Sequence, residues 1–267
     1  MTTKTRHILN LSGGKDSTAL AIYMRDRVPD LEYVFCDTGK ELPETYDYLN
    51  KVEAFLGSPI VRLNADFSFD HYLDMFSGFL PSAQMRWCTR DLKLKPFEKY
   101  VGDDPVMSYV GIRADEQRDG YISRKPNITA IFPFKEDGIT KADVFRMLEE
   151  AGLGLPEYYE WRTRSGCYFC FFQRKAEWVG LKENHPDLFE KAKAYEKADT
   201  PSGRRYTWAP KESLDEIEAR SETIKADYVR TLERMAANTK NKPLLELFDE
   251  AQAEDDGYDD ACLMCDL

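Results

Sequence analysis

Six residues near the start of the chain, Ser12-Gly13-Gly14-Lys15-Asp16-Ser17, combine the groups that hold a phosphate. Two glycines let the backbone curl close to an anion. Lys15 supplies a positive charge, Ser12 and Ser17 supply hydroxyl donors, and Asp16 can hold Mg²⁺. The flanking residues give the setting. Ile8-Leu9-Asn10-Leu11 reads as a strand, and the residues from Thr18 to Met24 have the apolar spacing of a helix. A strand that passes through a glycine turn into a helix aims the unpaired amides of the first helical turn at whatever the turn holds. The G-x-x-x-x-G-K-[ST] pattern of a Walker loop is absent. A solvated turn is the alternative, since two glycines before a Lys-Asp pair would suit one.

Sulfur is the second chemistry. Cys167-Tyr168-Phe169-Cys170 is a C-x-x-C pair, and Cys88 precedes it by roughly eighty residues. Redox dithiols, zinc knuckles and clusters all use such a pair. No secretory h-region follows Met1 and no run approaches eighteen apolar residues, so the expectation is a cytoplasmic protein without a membrane span. Its six cysteines then read as thiols or metal ligands rather than disulfides. Cys36, inside a strand, reads as a small core residue. His7, His71 and His185 stand in no ligand-like spacing.

The elements that must position these residues follow in order. A second buried strand, residues 31–36, ends in Asp37-Thr38-Gly39, and a helix with Pro43 in its first turn runs to about Phe55 before Gly57. Residues 59–63 make a third strand, 107–113 a fourth and 128–133 a fifth. Thr140 caps a helix that continues to Ala151. The β-α-β-α-β order predicts an α/β, doubly wound, mostly parallel five-stranded sheet. Ligands of such sheets sit beyond the carboxyl ends of the strands, where both Ser12–Ser17 and Asp37–Gly39 fall. In the stretch 65–85, Phe67, Phe69, Tyr72, Phe76 and Phe79 are expected in the core. Segments 172–183, 186–199 and 211–238 read as polar helices, with Thr200-Pro201-Ser202-Gly203 as a loop between them. This divides the chain into a nucleotide domain over 1–160, a helical region over 161–247 and an acidic tail over 248–267.

The string Ser12–Ser17 resembles, residue for residue, the SGGKDS pyrophosphate loop of the ATP-pyrophosphatase superfamily, whose members adenylate a substrate and release pyrophosphate. Asp37-Thr38-Gly39, followed by Pro43-Glu44-Thr45, is similar to a segment of the phosphoadenosine phosphosulfate (PAPS) reductase family within it. So are Cys88 with Lys93-Leu94-Lys95-Pro96, where Trp87 stands in place of a first cysteine, and Gly111-Ile112-Arg113 with Arg118 and Arg124. The resemblance implies that Leu11, Ser12, Gly13, Gly14, Lys15, Asp16, Ser17, Asp37, Thr38, Gly39, Gly111 and Arg113 bind ATP. It assigns catalysis to Lys15, Asp16, Asp37 and Arg113. Asp37 could instead merely accept amides in its turn, and Glu44 could serve the helix start.

The cysteine pattern resembles that of the cluster-bearing sulfonucleotide reductases. It implies a [4Fe-4S] cluster on Cys88, Cys167 and Cys170. A fourth ligand would be Cys265 or Cys262, or one iron would stay open. Tetrahedral zinc and unligated thiols remain as alternatives.

The reductases of this family usually carry a degenerate loop. The intact Lys15-Asp16 pair therefore points to ATP cleavage, as in DNA phosphorothioation or tRNA thiolation. The partners this implies are a nucleic-acid substrate and a sulfur donor such as a cysteine desulfurase, with an oligomer also open. A net charge of -11 argues against broad nucleic-acid affinity. Locally, Arg86, Arg90, Lys93, Lys95 and Lys99 make a basic run over 86–99. Sulfonucleotide reduction, with Cys262 or Cys265 as nucleophile, and a non-enzymatic nucleotide-binding subunit are the other two readings.

Overall fold

The computed structural model describes residues 4–117, 123, 125–197 and 205–238. Its strands β1 (Arg6–Leu11), β2 (Leu31–Asp37), β3 (Ile60–Asn64), β4 (Val106–Tyr109) and β5 (Ile128–Ile131) form one sheet in the order β3-β2-β1-β4-β5. Every pairing is parallel. The chain winds from β1 out to β3, then returns to place β4 on the other side of β1. The winding reverses between β1 and β4, and a crevice opens there above the carboxyl ends of the strands.

The helices are α1 (Lys15–Met24), α2 (Pro43–Leu56), α3 (Phe69–Met75), α4 (Trp87–Thr89), α5 (Lys95–Val101), α6 (Pro133–Glu136), α7 (Lys141–Glu150), α8 (Lys175–Asn184), α9 (Pro186–Tyr195), α10 (Leu214–Ala219) and α11 (Ser221–Asn238). A π-helical turn over Arg90–Leu94 joins α4 to α5. Strand alternation sorts the apolar side chains into two layers. Leu9, Leu11, Tyr33 and Phe35 cluster with Leu20, Leu49, Val52, Val144 and Leu148 from α1, α2 and α7. Ile8, Val34 and Cys36 point the other way, onto Phe97 and Val101 of α5. Burial on both faces explains why these strands read as unbroken apolar runs.

A third cluster joins α3 and α4 to the helices that follow the C-x-x-C. It packs Phe69, Tyr72 and Trp87 with Tyr158, Phe169, Trp178 and Trp208. Ring centres of Phe69 and Phe169 lie 4.4 Å apart, and those of Phe169 and Trp208 lie 4.8 Å apart. Side chains from before and after residue 160 thus share one core.

The structure shifts several expected boundaries. The fourth strand stops at Tyr109, because Gly111 leaves the sheet to pack against the backbone of α1. A Cβ at Gly111 would stand 3.1 Å from the carbonyl of Asp16. The fifth strand stops at Ile131, since Pro133 cannot donate to a ladder and instead opens α6. Residues 65–85 contain α3, whose N-cap Ser68 accepts from the amide of His71. Of the aromatics expected there in the core, Phe69 and Tyr72 are buried, whereas Phe67 is 51% exposed and Phe79 38%. Thr140 forms a capping box with Asp143 at the start of α7. The loop at 200–203, the tail and Arg118, Arg124, Cys262 and Cys265 lie outside the described residues.

The shared aromatic core makes a testable contrast. Phe69→Ala should cost about 3–5 kcal/mol in a urea titration, the range for emptying a buried aromatic site. The half-exposed Phe67→Ala should cost well under 1 kcal/mol. Equal losses would mean that the cluster is not packed as described.

Candidate active site

The loop between β1 and α1 takes the shape its glycines allow. Gly13 has φ +75°, and a Cβ there would meet Thr45 Cγ2 at 2.6 Å. Only glycine combines that backbone with that closeness. The loop is knitted by its own hydroxyls: the Ser12 amide donates to Ser17 Oγ at 3.1 Å, and Ser17 Oγ donates to the Gly14 carbonyl at 3.2 Å. A distant segment closes over it. Tyr158 donates its hydroxyl to the Gly13 carbonyl at 2.8 Å, and Ser165 Oγ donates to Ser12 Oγ at 3.1 Å. The Tyr159 hydroxyl accepts from the Lys15 amide at 3.2 Å. One of the first-turn amides expected to be unpaired therefore already has a partner.

Charge gathers at the mouth of the loop. Lys15 Nζ lies 3.0 Å from Asp16 Oδ2, and Arg113 Nη1 lies 2.7 Å from Asp16 Oδ1. Arg113 also meets Asp115 at 3.0 Å and Glu116 at 3.0 Å. Burial alone would raise the Asp16 carboxyl, but Lys15 and then Arg113 outweigh it and hold the group down at about 2. Asp16 is thus ionised near neutral pH, as a ligand of Mg²⁺ must be, although each of its oxygens faces a cation. In kind it fits a hard metal ion that arrives with phosphate oxygens able to take over the two cations.

Asp37 ends β2 and accepts from the Gly39 amide and from the Tyr46 hydroxyl, both at 2.8 Å. These are the bonds of a turn residue. Thr38 Oγ1 donates to Glu41 Oε1 at 3.0 Å and lies 3.2 Å from Cys167 Sγ. Glu44 pairs with His185 at 2.7 Å, which gives that histidine a structural partner.

The tertiary fold brings the three distant thiols to one place. Cys88, Cys167 and Cys170 line a single cavity of about 30 Å³, with Thr38, Lys93 and Trp208 among its other walls. The C-x-x-C loop is held by backbone pairing: the Tyr168 amide donates to the Lys40 carbonyl at 2.8 Å, and Glu41 and Cys167 form an antiparallel bridge. The buried Arg162 donates to the carbonyls of Gly166 and Cys167 at 3.1 and 2.9 Å. Burial pushes the Cys88 thiol up to about 12, with Cys170 adding to the rise. Burial likewise raises Cys167, with Glu41 next in effect. Left to themselves these thiols keep their protons, and a metal that took them as thiolates would release them. Soft sulfur donors around one mainly apolar cavity fit an iron–sulfur cluster or zinc in kind. Among the described residues, however, no three His, Cys, Asp or Glu side chains are drawn into a finished metal site. Cys36 is buried in the α5 layer with its thiol raised to about 11 by burial, as a core residue would be.

Sequence reasoning missed Tyr158, Tyr159, Arg162, Ser165 and Glu41. Glu41 lies inside the Asp37–Thr45 string without being one of its motif residues, the others stand in no periodic pattern, and each acts on residues more than a hundred positions away or on its own loop's backbone. No helix among the described residues is long and apolar enough to cross a membrane.

Residues 6–171 match the model of the phosphoadenosine phosphosulfate reductase domain. The chain belongs to this family. An uncharacterized protein of Methanocaldococcus jannaschii is 30% identical over 194 residues, 67% of this chain and 39% of that protein. A tRNA-specific 2-thiouridylase of Pediococcus pentosaceus is 26% identical over 213 residues, 66% of this chain and 55% of that enzyme. The chain thus spans well under two thirds of either relative. The crystal structure of phosphoadenylyl-sulfate reductase from Candida auris, in complex with phosphate, covers 62% of this chain and 82% of its own at 18% identity and a TM-score of 0.48.

The low value of the Asp16 carboxyl sets a pH dependence. A depressed carboxyl contributes stability in full above its ordinary value of 3.8 and loses it as pH falls toward about 2. The stability gap between wild type and Asp16→Asn, read by chemical unfolding, should shrink by on the order of 2 kcal/mol as pH drops through that window. A gap that stays constant from pH 5 to pH 2 would show that the ion cluster is not formed.

Proposed function

We propose that the chain is an ATP-pyrophosphatase that adenylates an oxygen of a nucleic acid so that sulfur can replace it. The observation that carries this reading is the intact loop, with Lys15, Asp16 and Arg113 meeting where β1 ends and the turn after β4 begins. A reductase that receives a ready-made sulfonucleotide has no pyrophosphate to expel and no need of the Lys15-Asp16 pair. The 2-thiouridylase relative, which by its name acts on tRNA, supports a nucleic-acid acceptor.

ATP lies with its outer phosphates against Ser12–Ser17. The acceptor oxygen attacks the α-phosphorus, the bond from that phosphorus to the bridging oxygen breaks, and pyrophosphate leaves. Lys15 and Arg113 move from Asp16 to the phosphate oxygens and offset the charge that builds on the leaving group. Asp16 is the loop residue that would hold Mg²⁺. Hydrosulfide from a donor then displaces AMP, forming a bond to sulfur and breaking the bond to the adenylated oxygen. Cys88, Cys167 and Cys170 would hold an iron–sulfur cluster, which when bound supplies a place for sulfur to sit, and zinc is the alternative. Thr38 and Glu41 keep Cys167 positioned beside the strand that ends at Asp37. A second reading, reduction of a sulfonucleotide, is favoured by the family match, and sulfite released from PAPS would mark it.

Incubation with labelled ATP tests the first reading. Lys15→Ala should lower pyrophosphate release at least a hundredfold, the usual loss when a preorganised charge partner of the transition state goes. Normal turnover in that variant would sink the loop assignment. The thiols are tested separately. Anaerobically purified protein should be brown and hold roughly four irons per chain. Cys88→Ser, Cys167→Ser and Cys170→Ser should each remove the colour while Cys36→Ser keeps it. If Cys262→Ser and Cys265→Ser together also keep it, one iron is open. One zinc and no iron would leave the cysteines structural.

A further inference from the structure

A cavity of about 420 Å³ opens beside the thiol cavity, and the two share Phe171 and Trp208 as walls. Its lining carries Arg164, Arg174, Lys175, Arg205 and Lys211 and, among the described residues, no carboxylate. The chain as a whole is acidic, at -11, so this concentration of cations runs against the overall charge. Two of the cations are answered from outside the cavity, Lys175 by Glu212 at 3.1 Å and Arg205 by Glu216 at 2.6 Å. Others are not. The guanidinium of Arg164 lies 5.7 Å from the centre of the Phe172 ring, and that of Arg86 lies 5.0 Å from the same ring. Among the described residues neither arginine, nor Lys211, makes an ion pair. Glu177 feels Arg164, but it is buried and accepts from Thr163 and from the Arg174 amide. A cation that lines the cavity and has only an aromatic ring for company is stabilised further by an anion placed in the cavity beside it.

The position of this cavity relates it to the chemistry. Arg164 precedes Ser165, which donates to Ser12 of the phosphate loop, and stands three residues before Cys167. A ligand seated on Arg164 is therefore held next to both the loop and the thiols. The basic run 86–99 offers no equivalent surface. Arg90 and Lys95 both pair with Asp91, Lys99 pairs with Asp66, and Lys93 is buried against the thiol cavity. Arg86 is the member of that run that reaches Phe172.

We propose that this cavity binds the phosphodiester backbone of the nucleic-acid acceptor and so delivers the acceptor to the space between the loop and the thiols. The proposal rests on the function proposed above for that site. A backbone phosphate is the ligand these groups suit: guanidinium forks match phosphate oxygens, and several cations spread along one cavity match a repeating anion better than a single one.

The test is a fluorescence-anisotropy titration of the full chain with short single-stranded RNA and DNA oligonucleotides over a range of salt. Arg164→Ala combined with Lys211→Ala should weaken binding roughly tenfold. It should also flatten the slope of log K against log salt by about 1.4, at about 0.7 for each single-strand phosphate that is no longer neutralised. ATP binding to the same variant, measured by calorimetry, should be unchanged, which reports that fold and loop survive. Arg146→Ala with Lys191→Ala, exposed cations on α7 and α9, should change neither affinity nor slope. Unchanged affinity in the cavity variant, or a wild type that binds no oligonucleotide, would overturn the proposal. So would displacement of the oligonucleotide by inorganic phosphate at equal phosphate concentration, which marks a small-anion site, or by polyglutamate of equal charge, which marks an acidic protein partner. Continued pyrophosphate release in Lys15→Ala would sink the functional reading and leave the oligonucleotide result standing, so the two failures are told apart.

Discussion

A short backbone pairing holds the two halves of the candidate site together. The turn after β2 and the C-x-x-C loop meet where Tyr168 donates its amide to the Lys40 carbonyl and Glu41 bridges to Cys167. A hydrogen bond of this kind adds only about 1 kcal/mol net, but leaving its groups buried and unpaired would cost more. The pairing is backed from behind by Arg162, which is 1% exposed and holds the carbonyls of Gly166 and Cys167. Gly166, at φ +130°, makes the turn that lets those carbonyls face the guanidinium. Without this join, the thiols would not lie beside the strand that ends at Asp37.

A second constraint acts on the loop itself. Helix α1 begins at a glycine with no side-chain cap, so its first amides and its positive end depend on residues from elsewhere. From a segment far along the chain the Tyr159 hydroxyl accepts from the Lys15 amide, while Tyr158 and Ser165 donate to the Gly13 carbonyl and to Ser12 Oγ and hold the loop before it. The segment that closes over the glycine loop therefore also carries Arg164 toward the basic cavity and Cys167 toward the thiol cavity. Three features that could have been independent are tied to one stretch, residues 158–170. The shared aromatic core behind that stretch, from Phe69 to Trp208, keeps it in place.

Electrostatics inside this frame is local rather than global. The chain is acidic, yet Lys15 and Arg113 converge on Asp16. Arg164 and Lys211, which make no ion pair among the described residues, line the neighbouring cavity. Asp16 keeps Lys15 and Arg113 near each other, where two cations alone would repel. The basic run that stands out in the sequence plays little part in this, because Asp91 and Asp66 neutralise most of it.

Much of this was legible in the residues. The strand–glycine–helix setting of Ser12–Ser17 and the β-α-β-α-β order suffice for a parallel sheet with a glycine loop at its carboxyl edge, because apolar periodicity and glycine conformation are local properties. Helix starts at Pro43 and Thr140 were equally readable, since caps act within one turn. The ends of β4 and β5 were not, because Gly111 and Pro133 are placed by packing against α1 and by the missing ladder donor rather than by strand propensity. The exposure of Phe67 and Phe79 also escaped, as an aromatic side chain does not reveal which face of a short helix or turn it occupies. The gathering of Cys88 with Cys167 and Cys170 was expected only through the family resemblance, and the closing of Tyr158 and Tyr159 over the loop and the meeting of Arg86 with Arg164 on Phe172 likewise join residues more than seventy positions apart. No spacing rule reaches that far. Only the packing of the aromatic core against the end of the sheet decides which of those side chains share a cavity.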